Sequence, residues 1–95
     1  MSYQEKILQV IMEAHLDEFD EPTIPLRFLA LMQGQGIFSL SEVFETYPDR
    51  TSLLRSKNMR RKTIDQFIEV LKSLEERHGI HFEWLEKLGS AFRIS

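Results

Sequence analysis

The sequence predicts an α+β fold that is mostly helical and ends in a β-hairpin. The spacing of apolar residues carries this prediction. Up to His78 apolar side chains recur every three or four residues, which is typical of amphipathic helices. From Ile80 onwards they alternate with polar residues, which is typical of strands. A chain of 95 residues has room for one modest core, so residues 1–95 should form a single domain.

The first predicted element is an N-terminal helix. Apolar residues recur from Tyr3 to Leu16 with the spacing of one helical stripe. An acidic stretch follows, and it is closed by Pro22, which disfavours helical geometry in the residue before it. Residues 1–17 should therefore form a helix that leads into a linker.

Two shorter helices are predicted next. Thr23 is a candidate N-cap for a largely buried helix, which the glycines of residues 34–36 would stop. Residues 37–40 suit only a turn or a minimal strand. Either Ser39 or Ser41 can cap a third helix, and Pro48 would terminate that helix.

The C-terminal half predicts one long helix and the hairpin. Residues 59–78 carry the most regular helical stripe of the chain, and a glycine follows as a stop signal. Residues 80–84 and 91–95 each alternate apolar and polar side chains. Residues 88–90 have the composition of a hairpin turn. We therefore expect a β-hairpin over residues 80–95.

The charges of the chain are segregated, although the net charge is only −3. Residues 1–49 carry nine acidic and two basic side chains, and residues 63–95 carry six acidic and four basic ones. Residues 50–62 carry six basic side chains and no acidic one. A basic segment on an acidic domain is typical of a face that binds a polyanion, and a solvated basic loop is the alternative interpretation.

The order of elements resembles a winged helix-turn-helix domain preceded by one extra helix. Residues 61–71, RKTIDQFIEVL, with residues 79–84 and 89–94, are similar to the recognition helix and wing of the helix-turn-helix type 11 group. That group includes the N-terminal domains of DeoR-like, biotin-repressor-like and WYL-domain regulators. The resemblance covers about residues 23–95. It implies a helical core over residues 23–78, a recognition helix at about 59–78 and a wing over 80–95.

The resemblance also implies a sequence-specific, double-stranded DNA-binding regulator of transcription. The N-terminal turn of the recognition helix would enter the major groove, where arginine and lysine pair with guanine and glutamine with adenine. The residues expected at the groove are Arg60, Arg61, Lys62, Thr63 and Gln66. The residues expected on backbone phosphates are Arg50, Arg55, Lys57, Lys87 and Arg93.

Two features depart from the family pattern. Asp65 lies where family members often carry a basic or aromatic residue, and its carboxylate would repel phosphate. The stretch Asp49–Asn58 is longer than the usual turn between the two helices of this motif. We expect that stretch to form a basic loop that follows the DNA backbone.

Other chemistry finds little support in the sequence. The chain has no cysteine, and the pair His78 and His81 lacks a third ligand of matching geometry. The glycines at 34–36 lack the remaining glycine of a dinucleotide motif, and the acidic stretch at 17–21 lacks the spacing of a calcium loop. We therefore expect no enzyme, no cofactor and no metal site.

The sequence leaves the partners open. The alternative to DNA is a protein-protein interaction module, an inhibitor or assembly subunit, that uses the acidic N-terminal half. A homodimer through Ile7 and Ile11 of the N-terminal helix would present two recognition helices to paired half-sites. No apolar run approaches the roughly 18 residues of a membrane helix, so we expect a cytoplasmic protein without a membrane partner.

Overall fold

The computed structural model describes residues 2–20 and 22–87, and this part of the chain is helical. Its five α-helices are α1 (Tyr3–Glu13), α2 (Leu26–Gly34), α3 (Leu40–Thr46), α4 (Arg50–Leu54) and α5 (Arg61–His78). Two 3-10 turns, Leu16–Glu18 and Glu83–Glu86, follow α1 and α5. No helix among these residues has the length and apolar character needed to cross a membrane.

Short polar side chains begin three of the helices. Ser2, Ser39 and Asp49 each accept a hydrogen bond from a backbone N–H in the first turn of α1, α3 and α4, at 2.8 to 3.3 Å. The predicted cap at Ser39 is thereby confirmed. The predicted cap at Thr23 is wrong, because α2 begins after Pro25, and Thr23 instead bonds back to the preceding linker.

The core lies around α5. This helix packs against α2 and α4, while α1 packs against α3. The rings of Phe28 in α2 and Phe67 in α5 stack with centroids 4.0 Å apart, and neither is accessible to solvent. The sequence prediction of a long helix at 59–78 is confirmed within two residues, and Gly79 ends it at a φ of 63°, a left-handed conformation that glycine adopts without strain.

The predicted C-terminal β-hairpin, and with it the α+β winged fold, is wrong. Residues 80–82 form no strand, and Glu83–Glu86 is a 3-10 turn. The alternation arises because this segment lies across the helices: Ile80, Phe82 and Trp84 are buried, while the polar residues between them are exposed. Within residues 2–20 and 22–87 the fold is all-helical. The predicted turn at 88–90 and second strand at 91–95 lie outside the described residues.

Three further segments also differ, at least in part, from their predicted secondary structure. Helix α1 ends at Glu13 rather than near residue 17, because Ala14 and His15 are extended. Residues 37–40, predicted as a turn or a minimal strand, contain only an isolated antiparallel bridge, between Ser39 and His15. The basic loop predicted over residues 49–58 is wrong for its first half, because the Asp49 cap begins helix α4 there, while residues 55–58 do form a largely exposed loop.

Candidate nucleic-acid interface

Helices α4 and α5 pack against each other, and residues 55–60 connect them in an anchored loop. The N–H of Ser56 donates to the carbonyl of Leu53 at 3.0 Å, and the N–H of Met59 donates to the carbonyl of Ser56 at 3.3 Å. The side chain of Met59 is buried in the core, and Asn58 has a left-handed φ of 68°. The core therefore fixes where this loop lies.

Five basic side chains are exposed on this loop and on the first turn of α5, and we call them the basic surface. They are Arg55, Lys57, Arg60, Arg61 and Lys62. Within the described part of the chain, none of the five forms an ion pair with a carboxylate. No carboxylate among residues 2–20 and 22–87 therefore neutralises these charges by direct contact.

The N-terminus of α5 adds to this positive potential. Arg60 occupies the N-cap position, and its side chain does not bond to the first turn of the helix. The backbone N–H groups of that turn and the positive end of the helix dipole favour a nearby anion. The basic surface thus combines side-chain charge with helix-end potential at one place.

The exposed face of α5 changes character after the first turn. Gln66 is exposed one turn after Lys62, about 6 Å further along the helix axis. Asp65 is exposed one turn after Arg61, and Glu69 follows. Over residues 61–71 of α5, basic side chains are therefore confined to the first turn, and the uncharged amide of Gln66 borders that turn.

Two of the predicted contact residues are held inside the fold. Arg50 is half-buried, and its Nη2 donates to the carbonyl of Leu85 at 2.9 Å, while its buried Nε has no hydrogen-bond partner within the described part of the chain. Thr63 is only 6% exposed and lies beside Ile64 on the core side of α5. Both residues are placed to stabilise the fold, so we leave them out of the basic surface.

The remaining predicted phosphate contacts lie elsewhere. Lys87 is exposed and lines an apolar groove, together with residues of α1, α3 and the segment that follows α5. Arg93 lies outside the described residues. The phosphate contacts expected of Lys87 and Arg93 stay predictions.

A groove of about 400 Å³, which no pattern in the sequence predicts, borders the basic surface. One wall is the C-terminal end of α2, and the other is the loop that carries Lys57. The hydroxyl of Tyr47 donates to Gln35 Oε1 at 2.7 Å and lies 3.2 Å from the hydroxyl of Ser56, which connects the two walls. The lining residues are Ala30, Leu31, Gly34, Gln35, Ser56, Lys57 and Asn58.

The stripe of α1 that we considered for a homodimer packs on the chain's own core. Ile11 is buried there, and Ile7 is half-buried against the same cluster. The exposed apolar residues of α1, Tyr3 and Val10, lie beside that stripe rather than within the core. A homodimer stays a prediction, and Ile11, which is buried in the chain's own core, is not available for it.

The chain matches no protein-family model, no curated protein and no solved structure. The resemblance to the helix-turn-helix type 11 group therefore stays a prediction from the sequence. Among residues 2–20 and 22–87, no group of three histidine or acidic side chains is arranged to hold a metal ion.

Proposed function

We propose that this protein binds double-stranded DNA through the basic surface and acts as a sequence-specific regulator of transcription. The observation that carries the proposal is the exposure of five basic side chains on a loop and helix start that the core holds in place. None of the five has a carboxylate partner among the described residues. Phosphate contacts from such side chains supply most of the sequence-independent affinity for DNA.

The arrangement of α4 and α5 supports a helix-turn-helix mode of docking. The first turn of α5 would approach the major groove, with Lys62 and Gln66 directed at base edges and Arg55 and Lys57 on the adjacent phosphates. Arginine, lysine and glutamine have the hydrogen-bonding groups that distinguish guanine and adenine there. The exposed acids of residues 13–20 would be repelled by DNA, which orients the molecule.

The test compares two triple variants in a fluorescence-anisotropy titration of a labelled duplex at several salt concentrations. Arg60, Arg61 and Lys62 are replaced by glutamine in the first variant. The matched control removes the same charge from three exposed bases elsewhere, Lys6, Arg27 and Lys72.

We expect the first variant to bind much more weakly and to flatten the slope of log K against log salt by up to about 2.7, or about 0.9 for each lost phosphate contact. The control should stay close to the parent. Equal losses in both variants would show that only net charge matters. A parent that binds no DNA, but does bind a basic protein surface, would favour the interaction-module alternative.

A further inference from the structure

His81 lies between two carboxylates, and its two ring nitrogens each face one of them. Nδ1 is 3.1 Å from Glu75 Oε2, and Nε2 is 3.1 Å from Glu86 Oε2. A neutral imidazole has a single N–H, so it can donate to only one of these oxygens. Both bonds form together only when His81 is the doubly protonated imidazolium.

The three residues join two parts of the fold. Glu75 belongs to the last turn of α5, and the same oxygen accepts a hydrogen bond from the N–H of Phe82 at 2.7 Å. Glu86 belongs to the 3-10 turn Glu83–Glu86. Protonated His81 therefore fastens the segment of residues 80–87 to the end of α5.

This segment covers apolar surface. Phe82 and Trp84 are nearly inaccessible to solvent, and the segment borders an apolar groove of about 430 Å³ that Leu8, Met12 and Phe44 complete. Loosening the segment would therefore expose aromatic side chains of the core.

Negative charge dominates around the imidazole. Glu75 of α5 and Glu86 of the turn contact it directly, while Glu83 and Lys87 line the groove beside it. Helices α1 and α3 contribute only apolar side chains to that groove. The hydrogen bond to Glu86 is the largest cause that raises the pKa of His81 above its usual value, and the charges of both contacting carboxylates raise it further. Desolvation, the second-largest cause, opposes them.

We infer that residues 80–87 form a pH-dependent clasp, closed when imidazolium His81 bridges Glu75 and Glu86 and loosened when the ring becomes neutral. Because the pKa of His81 is raised in the folded state, the sign of the pH dependence of the clasp is determined. The stabilisation is fully present below the unfolded value of 6.5 and is lost as the pH rises through the higher folded value. The clasp therefore loosens on the alkaline side of the His81 titration.

The experiment uses Trp84, the only tryptophan of the chain, as a reporter that belongs to the clasp itself. Acrylamide quenching of its fluorescence is measured across the pH range in which His81 titrates, and the titration is followed by NMR of the imidazole. The variants are His81→Gln, which removes the switch, and Glu86→Gln, which keeps the residue size but removes one carboxylate charge. His15→Gln is the control, because His15 is a second exposed histidine, and its side-chain contacts, Asp17 and Phe38, are not part of the clasp.

In the parent and in the His15→Gln control, quenching should rise with pH along the His81 titration. His81→Gln should lose this pH dependence, and Glu86→Gln should shift both the NMR and the quenching midpoints to lower pH. Quenching that is independent of pH in the parent would overturn the proposal. A pH dependence that persists in His81→Gln, or an unchanged NMR midpoint in Glu86→Gln, would also overturn it.

Discussion

Replacing Trp84 by phenylalanine tests how the segment after α5 is held on the helical core. The indole is 3% exposed, stacks on Phe44 with ring centroids 5.2 Å apart, and meets Phe67 edge-on at 6.0 Å. Its Nε1 donates to the carbonyl of Tyr47 at 2.7 Å. A phenyl ring keeps the aromatic packing in part, but it cannot donate this hydrogen bond.

The expected loss of stability has two parts. Leaving the part-buried carbonyl of Tyr47 without its donor costs about 1 to 3 kcal/mol. The smaller ring leaves a void beside Phe44 and Phe67, which costs about 1 kcal/mol more. A total of about 2 to 4 kcal/mol lowers the melting temperature of a domain of this size by at least about 8 °C.

The assay is urea and thermal denaturation followed by far-ultraviolet circular dichroism, which does not depend on tryptophan fluorescence. Tyr3→Ala is the control, because it truncates an aromatic side chain that is 78% exposed. The control should change the free energy of unfolding by less than about 0.5 kcal/mol. A similarly small change for Trp84→Phe would refute the placement of the indole in the core.

Three further predictions concern DNA binding. The double variant Arg55→Ala/Lys57→Ala should weaken binding to all duplexes alike and flatten the slope of log K against log salt by about 1.8. An unchanged affinity at every salt concentration would remove these residues from the interface. Gln66→Ala should reduce the difference in binding free energy between the preferred base and the others at one base pair by about 1 to 3 kcal/mol, which a binding-site selection on random duplexes would detect. An unchanged ranking of sites would argue against a contact between Gln66 and a base. Gly34→Glu should weaken DNA binding in anisotropy titrations more than Gly34→Gln, because it places a carboxylate in the groove lined by Lys57, and an added Cβ at Gly34 meets no atom within 4 Å. Equal affinities of the two variants would exclude that groove from the interface.

The sequence predicted the helices better than the C-terminal segment, and the reason is physical. Helix α5 repeats its apolar stripe over several turns, so its period is unambiguous. Residues 80–84 alternate over too short a stretch to distinguish a strand from a segment that lies across helices. The neighbours of Trp84, which are Phe44 and Phe67, are distant in sequence, so no local pattern could reveal them.

The sequence predicted where the basic residues of the candidate site lie, but not which of them are buried in the fold. The run of bases from 50 to 62 is visible in the sequence, and five of its six members are exposed. Arg50 differs because the carbonyl it contacts belongs to Leu85, far along the chain. The groove beside Lys57 likewise depends on α2 and the loop coming together, which tertiary packing alone decides.

An NMR titration of the labelled protein with duplex DNA tests the central claim most directly, because it reports which backbone amides sense the ligand. We predict that the amides of residues 55–62 and of the exposed first turns of α5 shift on addition of DNA, and that those of α1 do not. Shifts confined to α1 and the acidic residues at 13–20, or no shifts at low salt, would contradict the assignment of the basic surface as a DNA-binding site.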